Sequence, residues 1–271
     1  GDWRADRIRM RLAQARVIMG RGSGGFEVEK LSPERGKLAQ AEAKVIGEKE
    51  FATRMAALRE QVSQGGFDAI RNTLTAYVNV YERVYSDAGR RGKVAAAVEE
   101  AWGDMPLFVR IEVLLEMSEV AAEASDDETA AELARRALDI KKGASWPPRH
   151  HVRVGASIAA ALGRAGAMKE ALEEARSLRA YYSENREEIV DIFRGEALRP
   201  LAEAYQGMGE TDLARSVYLL ALEEAVVNPN SRPRSQDLCA TCCSMAVHAF
   251  EPTKRIWRSL ESVRGTLGDP W

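Results

Sequence analysis

Two stretches of this chain superpose on one another without a gap. Residues 161–171 (ALGRAGAMKEA) and 204–214 (AYQGMGETDLA) lie 43 residues apart. Each runs from a large side chain, Leu162 or Tyr205, over three positions to Gly166 or Gly209, then over four more to Ala171 or Ala214. A recurrence at this distance marks stacked supersecondary units, because one such unit cannot bury its own apolar side. Stepping back 41 residues from Gly166 reaches Ser125, with Ala121 before it and Ala130, Ala134, Ala137 and Leu138 after. A further 36 residues back lies Gly89, between Tyr85 and the series Val94, Val98 and Ala101. Stepping forward 42 from Gly209 gives Glu251, flanked by Val247 and by Ile256, Leu260 and Val263. Five units anchored at these residues are expected. Pro106, Pro148 and Pro233, spaced 42 and 85 residues apart, fall where the first helix of a unit would open, a position that suits proline.

The secondary structure is expected to be helical throughout. Ala, Leu, Glu and Arg dominate nearly every segment, and runs of alternating β-branched or aromatic residues are missing, so the propensities point one way. Residues 4–19 carry Ile8, Leu12, Ala15 and Ile18 on one stripe. Residues 37–62 read as one long helix with Leu38, Ala41, Val45, Ala52, Met55, Leu58 and Val62 on one side. Phe67, Ile70, Leu74, Tyr77, Val78, Tyr81 and Tyr85 make a third, unusually aromatic stripe. Gly65-Gly66, the glycines between 89 and 92, Gly103-Asp104, Trp146-Pro147-Pro148 and Asn228-Pro229-Asn230 punctuate the series. Residues 1–65 are assigned to N-terminal helices, an extra pair or a cap, and 66–271 to the repeat array.

These residues resemble the tetratricopeptide repeat family. Leu198, Leu201, Ala202, Tyr205, Gly209, Ala214, Tyr218, Ala221 and Leu222 match that family's pattern position by position. The unit with Leu114, Met117, Ser118, Ala121, Ser125, Ala130, Ala134, Ala137 and Leu138, and the one with Ile158, Ala159, Leu162, Gly166, Ala171, Ala175 and Leu178, follow it more loosely. The likeness covers about residues 67–267. It departs from the family in a period of about 42 residues instead of about 34, in having no Trp at the family's Trp position, and in mostly lacking the closing Pro. The resemblance implies an all-α, right-handed TPR-like α-α superhelix of antiparallel helix pairs. It implies a non-catalytic scaffold that holds a peptide or partner helix in a concave groove lined by the first helices. Carried onto this chain, that groove comprises Asn79, Arg83, Glu112, Glu119, Arg153, Arg164, Glu196, Arg199, Glu203, Gln206 and His248, with Thr241 and Met245 beside them. Their charges alternate along the axis. The alternatives are an assembly subunit that self-associates through the aromatic stripe or through Trp257 and Trp271, and an all-α enzyme with a pocket between repeats.

Other classes find little support in the residues. Lys+Arg 39 against Asp+Glu 41 leaves a net charge of −2, so no global field or basic stripe favours nucleic acid. The longest apolar uncharged stretch, 154–162, is half the ~18–20 residues of a membrane span, and a soluble monomer or homodimer is expected. The chain opens on Gly1 instead of Met, as it would if a targeting segment had been removed, and no compartment is assigned. Cys239, Cys242 and Cys243 could be read as part of a zinc site, but four ligands are needed and no second CxxC exists. In the repeat register anchored at Glu251, Cys243 occupies a buried Leu position with Cys239 one turn earlier, so all are expected as core filling. His150-His151 reads as first-turn surface or inter-repeat loop, residues 20–25 (GRGSGG) as a linker without the Lys-Ser/Thr of a phosphate loop, and Glu173-Glu174, Glu187-Glu188 and Glu223-Glu224 as solvated faces. Catalytic, cofactor and metal residues are accordingly expected to be none.

Overall fold

The computed structural model describes residues 46–103, 105–227 and 230–265. They form eleven α-helices and no strand among the described residues. In order these are α1 (Glu48–Gln64), α2 (Phe67–Arg83), α3 (Ala88–Ala101), α4 (Leu107–Glu123), α5 (Asp127–Lys142), α6 (Pro148–Arg164), α7 (Met168–Asn185), α8 (Asp191–Gly207), α9 (Thr211–Val227), α10 (Ser231–Val247) and α11 (Lys254–Gly265). A 3₁₀ turn, Arg186–Glu188, links α7 to α8. The predicted helices at 4–19 and 37–45, the GRGSGG segment and Trp271 lie outside the described residues.

Consecutive helices pack as pairs: α2 with α3, α4 with α5, α6 with α7, and α8 with α9. The first members also touch in a row, α2 to α4, α4 to α6, α6 to α8 and α8 to α10. Small residues allow the close crossings. Ser118, Ala130, Ala134, Ala159, Ala171, Ala175, Ala202, Ala214 and Ala221 are all buried, which lets paired backbones approach while Leu and Tyr fill the flanks. Within the α4–α5 crossing the Ser118 hydroxyl donates to the Ala130 carbonyl at 2.8 Å, satisfying a polar group that burial would otherwise penalise.

The turn inside each pair repeats in geometry as well as in sequence. Ser125, Gly166, Gly209 and Ala249 all have positive φ, between 49° and 80°. At each, the next residue donates its N–H five positions back, Asp126 to Ala121, Ala167 to Leu162, Glu210 to Tyr205 and Phe250 to Met245, every one at 2.9 Å. This is the Schellman end of a helix, in which a left-handed residue closes the last turn and satisfies its open carbonyls. The turns are 41, 43 and 40 residues apart.

Three expectations are corrected here. The last anchor is Ala249, not Glu251, and Gly89 lies within the first turn of α3, where the α2–α3 turn has no left-handed residue among those described. The long helix expected over 37–62 is interrupted within its described part, where Ile46 and Gly47 are non-helical and the helix begins at Glu48. A buried Ile46 and the bond from Arg90 Nη1 to its carbonyl, 2.8 Å, hold that entry against α3. The aromatic stripe on α2 serves the core: Tyr77, Tyr81 and Tyr85 are buried, and only Phe67 is left exposed.

Candidate functional site

Two groups stand out among the groove residues inferred from the sequence, and Glu119, Arg164 and Gln206 belong to neither. Most are consumed by contacts from one first helix to the next. Arg71 on α2 reaches Glu112 on α4 at 3.0 Å. Arg149 and Arg153 on α6 both hold Glu196 on α8, at 2.8 and 2.9 Å, and the Arg149 guanidinium also lies 3.7 Å over the Phe193 ring. Arg199 on α8 pairs with Asp237 on α10 and touches the Thr241 hydroxyl at 3.4 Å. Glu203 accepts a 2.6 Å bond from the Ser244 hydroxyl and faces His248 Nε2 at 3.7 Å. The alternation of charge is therefore a ladder that joins neighbouring units. Burial raises the Asp237 carboxyl, and Arg199 acts against that rise. Gly195 makes room for Asp237, since a Cβ there would collide with its carboxylate.

Thr241 and Met245, expected beside the groove, are instead buried in the α8–α10 contact. Gln206 is half-buried, with its Oε1 unpartnered among the described residues. Glu119 and Arg164 are exposed. Glu119 and Glu112 help raise the Glu116 carboxyl on α4, although desolvation is the larger cause.

Asn79 and Arg83 form the second group, and they do come together. They line a cleft of about 580 Å³ between α1 and α2, with Arg54, Ala57 and Leu58 from α1 and Ala76, Val80 and Glu82 from α2. Its floor is apolar. Its rim carries two guanidinium groups, one carboxamide and the Glu82 carboxylate, with Arg54 held by Glu50 at 2.7 Å. Helical spacing of three and four residues (76, 79, 80, 83) puts these α2 side chains on one face. A smaller cleft of about 360 Å³ lies by the α1–α2 turn, lined by Gln61, Gln64, Gly65, Ala69, Asn72 and Thr73.

The second helices carry their own ion pairs, which the sequence did not signal. Lys141 on α5, only 4% exposed, donates to Glu174 on α7 at 2.7 Å and contacts His151 Nε2 on α6 at 3.2 Å. His151 stacks on Tyr181 with ring centres 4.1 Å apart. Burial, and then Lys141, lower the His151 pKa. Glu224 on α9, 3% exposed, receives Arg186 at 2.6 Å and Arg194 at 3.6 Å. Glu174 and Glu224 are thus not solvated faces, and His151, in the first turn of α6 as expected, is half-buried instead of at the surface. Neighbouring units enclose them, which a reading of one helix at a time does not register.

The cysteines are the largest correction. Cys239, Cys242 and Cys243 are all exposed. With the last turn at Ala249 the helix register shifts by two residues, so Leu238, Thr241, Ser244 and Met245 face the core. Cys242 occupies the small-residue position filled by buried Ser118, Ala159 and Ala202 in earlier units. It stays bare because α11 packs chiefly on α9 and at most marginally on α10.

Among the described residues no group of three or more His, Cys, Asp or Glu side chains is placed to hold a metal ion. No described helix is long and apolar enough to cross a membrane. Comparisons with protein-family models, with curated proteins and with solved structures give no match to this chain.

Proposed function

We propose that this chain is a non-catalytic scaffold, a TPR-like α-α superhelix that holds a segment of a partner protein, with the α1–α2 cleft as its anchor point. Support for the superhelix comes from the recurring Schellman turns and from the row of first helices, each touching the next. The observation that carries the binding role is the cleft itself, where Arg54, Asn79, Glu82 and Arg83 ring a floor that includes Leu58 and Val80. An apolar floor with a few convergent polar groups is the usual form of a recognition site. Its chemistry suits a segment that inserts an apolar side chain and presents a carboxylate beside it. Glu112, Arg153, Glu196, Arg199 and Glu203 act in this reading as the joints of the array, not as ligand contacts.

Affinity capture with the wild-type chain and with an Arg54→Glu/Arg83→Glu variant tests this. Loss of specific partners by that variant, and their retention by an Arg164→Glu control, is the expected result. Identical captured sets for all three chains would remove the cleft from consideration. Light scattering alongside small-angle scattering distinguishes a curved monomer from an assembly subunit, for which a concentration-independent dimer is the signature.

A further inference from the structure

We propose that Cys239 and Cys243 on α10 form a two-coordinate thiolate site for a soft monovalent cation, with Cu(I) as the fitting ion. Free cysteine is among the residue types most often buried, yet three stand exposed within five residues of this helix. Residues four apart on a helix share a face, with Cβ atoms about 5–6 Å apart. That is wider than the roughly 3.5–4.5 Å a disulfide requires, so the intact helix resists closing this pair by oxidation. It suits an ion set between the sulfurs, because two metal–sulfur bonds of about 2.3 Å span ~4.6 Å.

The chemistry narrows the ion. Thiolates select soft metals, Cu(I) and Zn(II) among them, and structural zinc takes four ligands. No described group of three or more ligating residues is placed to hold a metal here, which leaves an ion content with two sulfurs. Cys242 stands apart from the pair, because it occupies the helix-crossing position filled by buried Ser118, Ala159 and Ala202 in earlier units. Binding follows as two thiols plus Cu(I) giving one Cu(I) bis-thiolate and two released protons, with no change of oxidation state. Position in the array keeps the pair accessible. Relative to the Schellman turns, Cys239 and Cys243 match Arg199 and Glu203 of α8, which reach forward onto α10. No described helix stacks beyond α10 in the same way.

The test is an anaerobic titration of the full chain with Cu(I), in competition with a chromogenic Cu(I) chelator. One equivalent bound and two protons released per ion are expected. Cys239→Ser and Cys243→Ser should each weaken binding by about 100-fold, since even outer-shell changes at metal sites cost roughly 10–100-fold. Cys242→Ser should stay within about threefold, since Cys242 supplies no sulfur to the ion. In the unsubstituted chain, one equivalent of Cu(I) should protect Cys239 and Cys243 from alkylation and leave Cys242 reactive. Wild-type affinity in the Cys239→Ser and Cys243→Ser variants would overturn the site. So would zinc competing on equal terms, or a dimer whose thiols resist alkylation before any metal is added.

Discussion

Arg149 of α6 and Glu196 of α8 meet across the boundary between two repeat units, with Arg149 Nη2 2.8 Å from both carboxylate oxygens. Both side chains are about a quarter to a third exposed, so water screens the pair and its coupling is modest. A double-mutant cycle on Arg149→Ala and Glu196→Ala should give a coupling of about 0.5–1 kcal/mol, the upper end for partly exposed pairs. Arg149→Ala alone should cost more than that, because it also uncovers the Phe193 ring. Urea denaturation of the four chains measures both quantities. A coupling indistinguishable from zero would mean the ladder is incidental to the stacking.

The four Schellman turns make opposite substitutions informative. Gly166 and Gly209 have φ of 73° and 80° with open space where a Cβ would stand. Gly166→Ala and Gly209→Ala should therefore lose about 1 kcal/mol each from backbone conformation alone. Ser125 and Ala249 already carry a side chain at φ of 60° and 49°. Ser125→Gly and Ala249→Gly should be neutral or gain up to about 1 kcal/mol. Thermal unfolding of the set checks the sign at each position. Destabilisation by Ser125→Gly would show that its hydroxyl does more than tolerate the turn.

Lys141 and Glu174 form a pair sealed between α5 and α7, 4% and 11% exposed. Removing one partner strands a charge, and Lys141→Met should cost about 3–5 kcal/mol, whereas Lys141→Met with Glu174→Leu should recover most of it. The pair also sets a pH response through His151. The unfolded imidazole takes a proton near 6.5, while burial and Lys141 hold the folded one neutral to lower pH. Stability is thus complete above pH 6.5 and is lost as the pH falls from there toward the lower folded value. Chemical denaturation at about pH 7.5 and about pH 5 should show this loss, and His151→Gln should flatten it.

Asp126 caps α5 by accepting from the Thr129 N–H at 3.1 Å, and it also accepts from the Tyr85 hydroxyl at 2.8 Å. Asp126→Ala should cost about 1–2 kcal/mol. The Thr129 N–H first, then Tyr85, hold the carboxyl below its ordinary 3.8. Its contribution is present above pH 3.8 and fades as the pH falls through the folded value. An acid-unfolding curve for Asp126→Asn should therefore converge on that of the wild type at the acid end and separate from it above.

Much of this organisation is local, and local patterns are what a sequence displays. The spacing of Ser125, Gly166 and Gly209, the small residues at the crossings, and the prolines at 106 and 148 each act within one helix or one turn. Propensity and steric fit determine them without reference to distant parts of the chain. Units two to four are therefore legible in the sequence, residue by residue.

What the tertiary structure decided is where one unit meets another. The fate of a charge depends on what a neighbouring helix brings within reach, an opposite charge for Glu196, Glu174 and Glu224 and a hydroxyl for Glu203, whereas Arg164 is exposed. Exposure is likewise a property of the partner. Cys242 occupies a position buried in three earlier units and is bare only because α11 leans on α9. The two-residue shift from Glu251 to Ala249 could not be read from the sequence, since alanine carries no signal for a left-handed turn, and that shift turned the cysteines outward. The period of the repeat is written in the sequence by short-range sterics. The surfaces available for binding were settled by long-range packing between units that lie about forty residues apart.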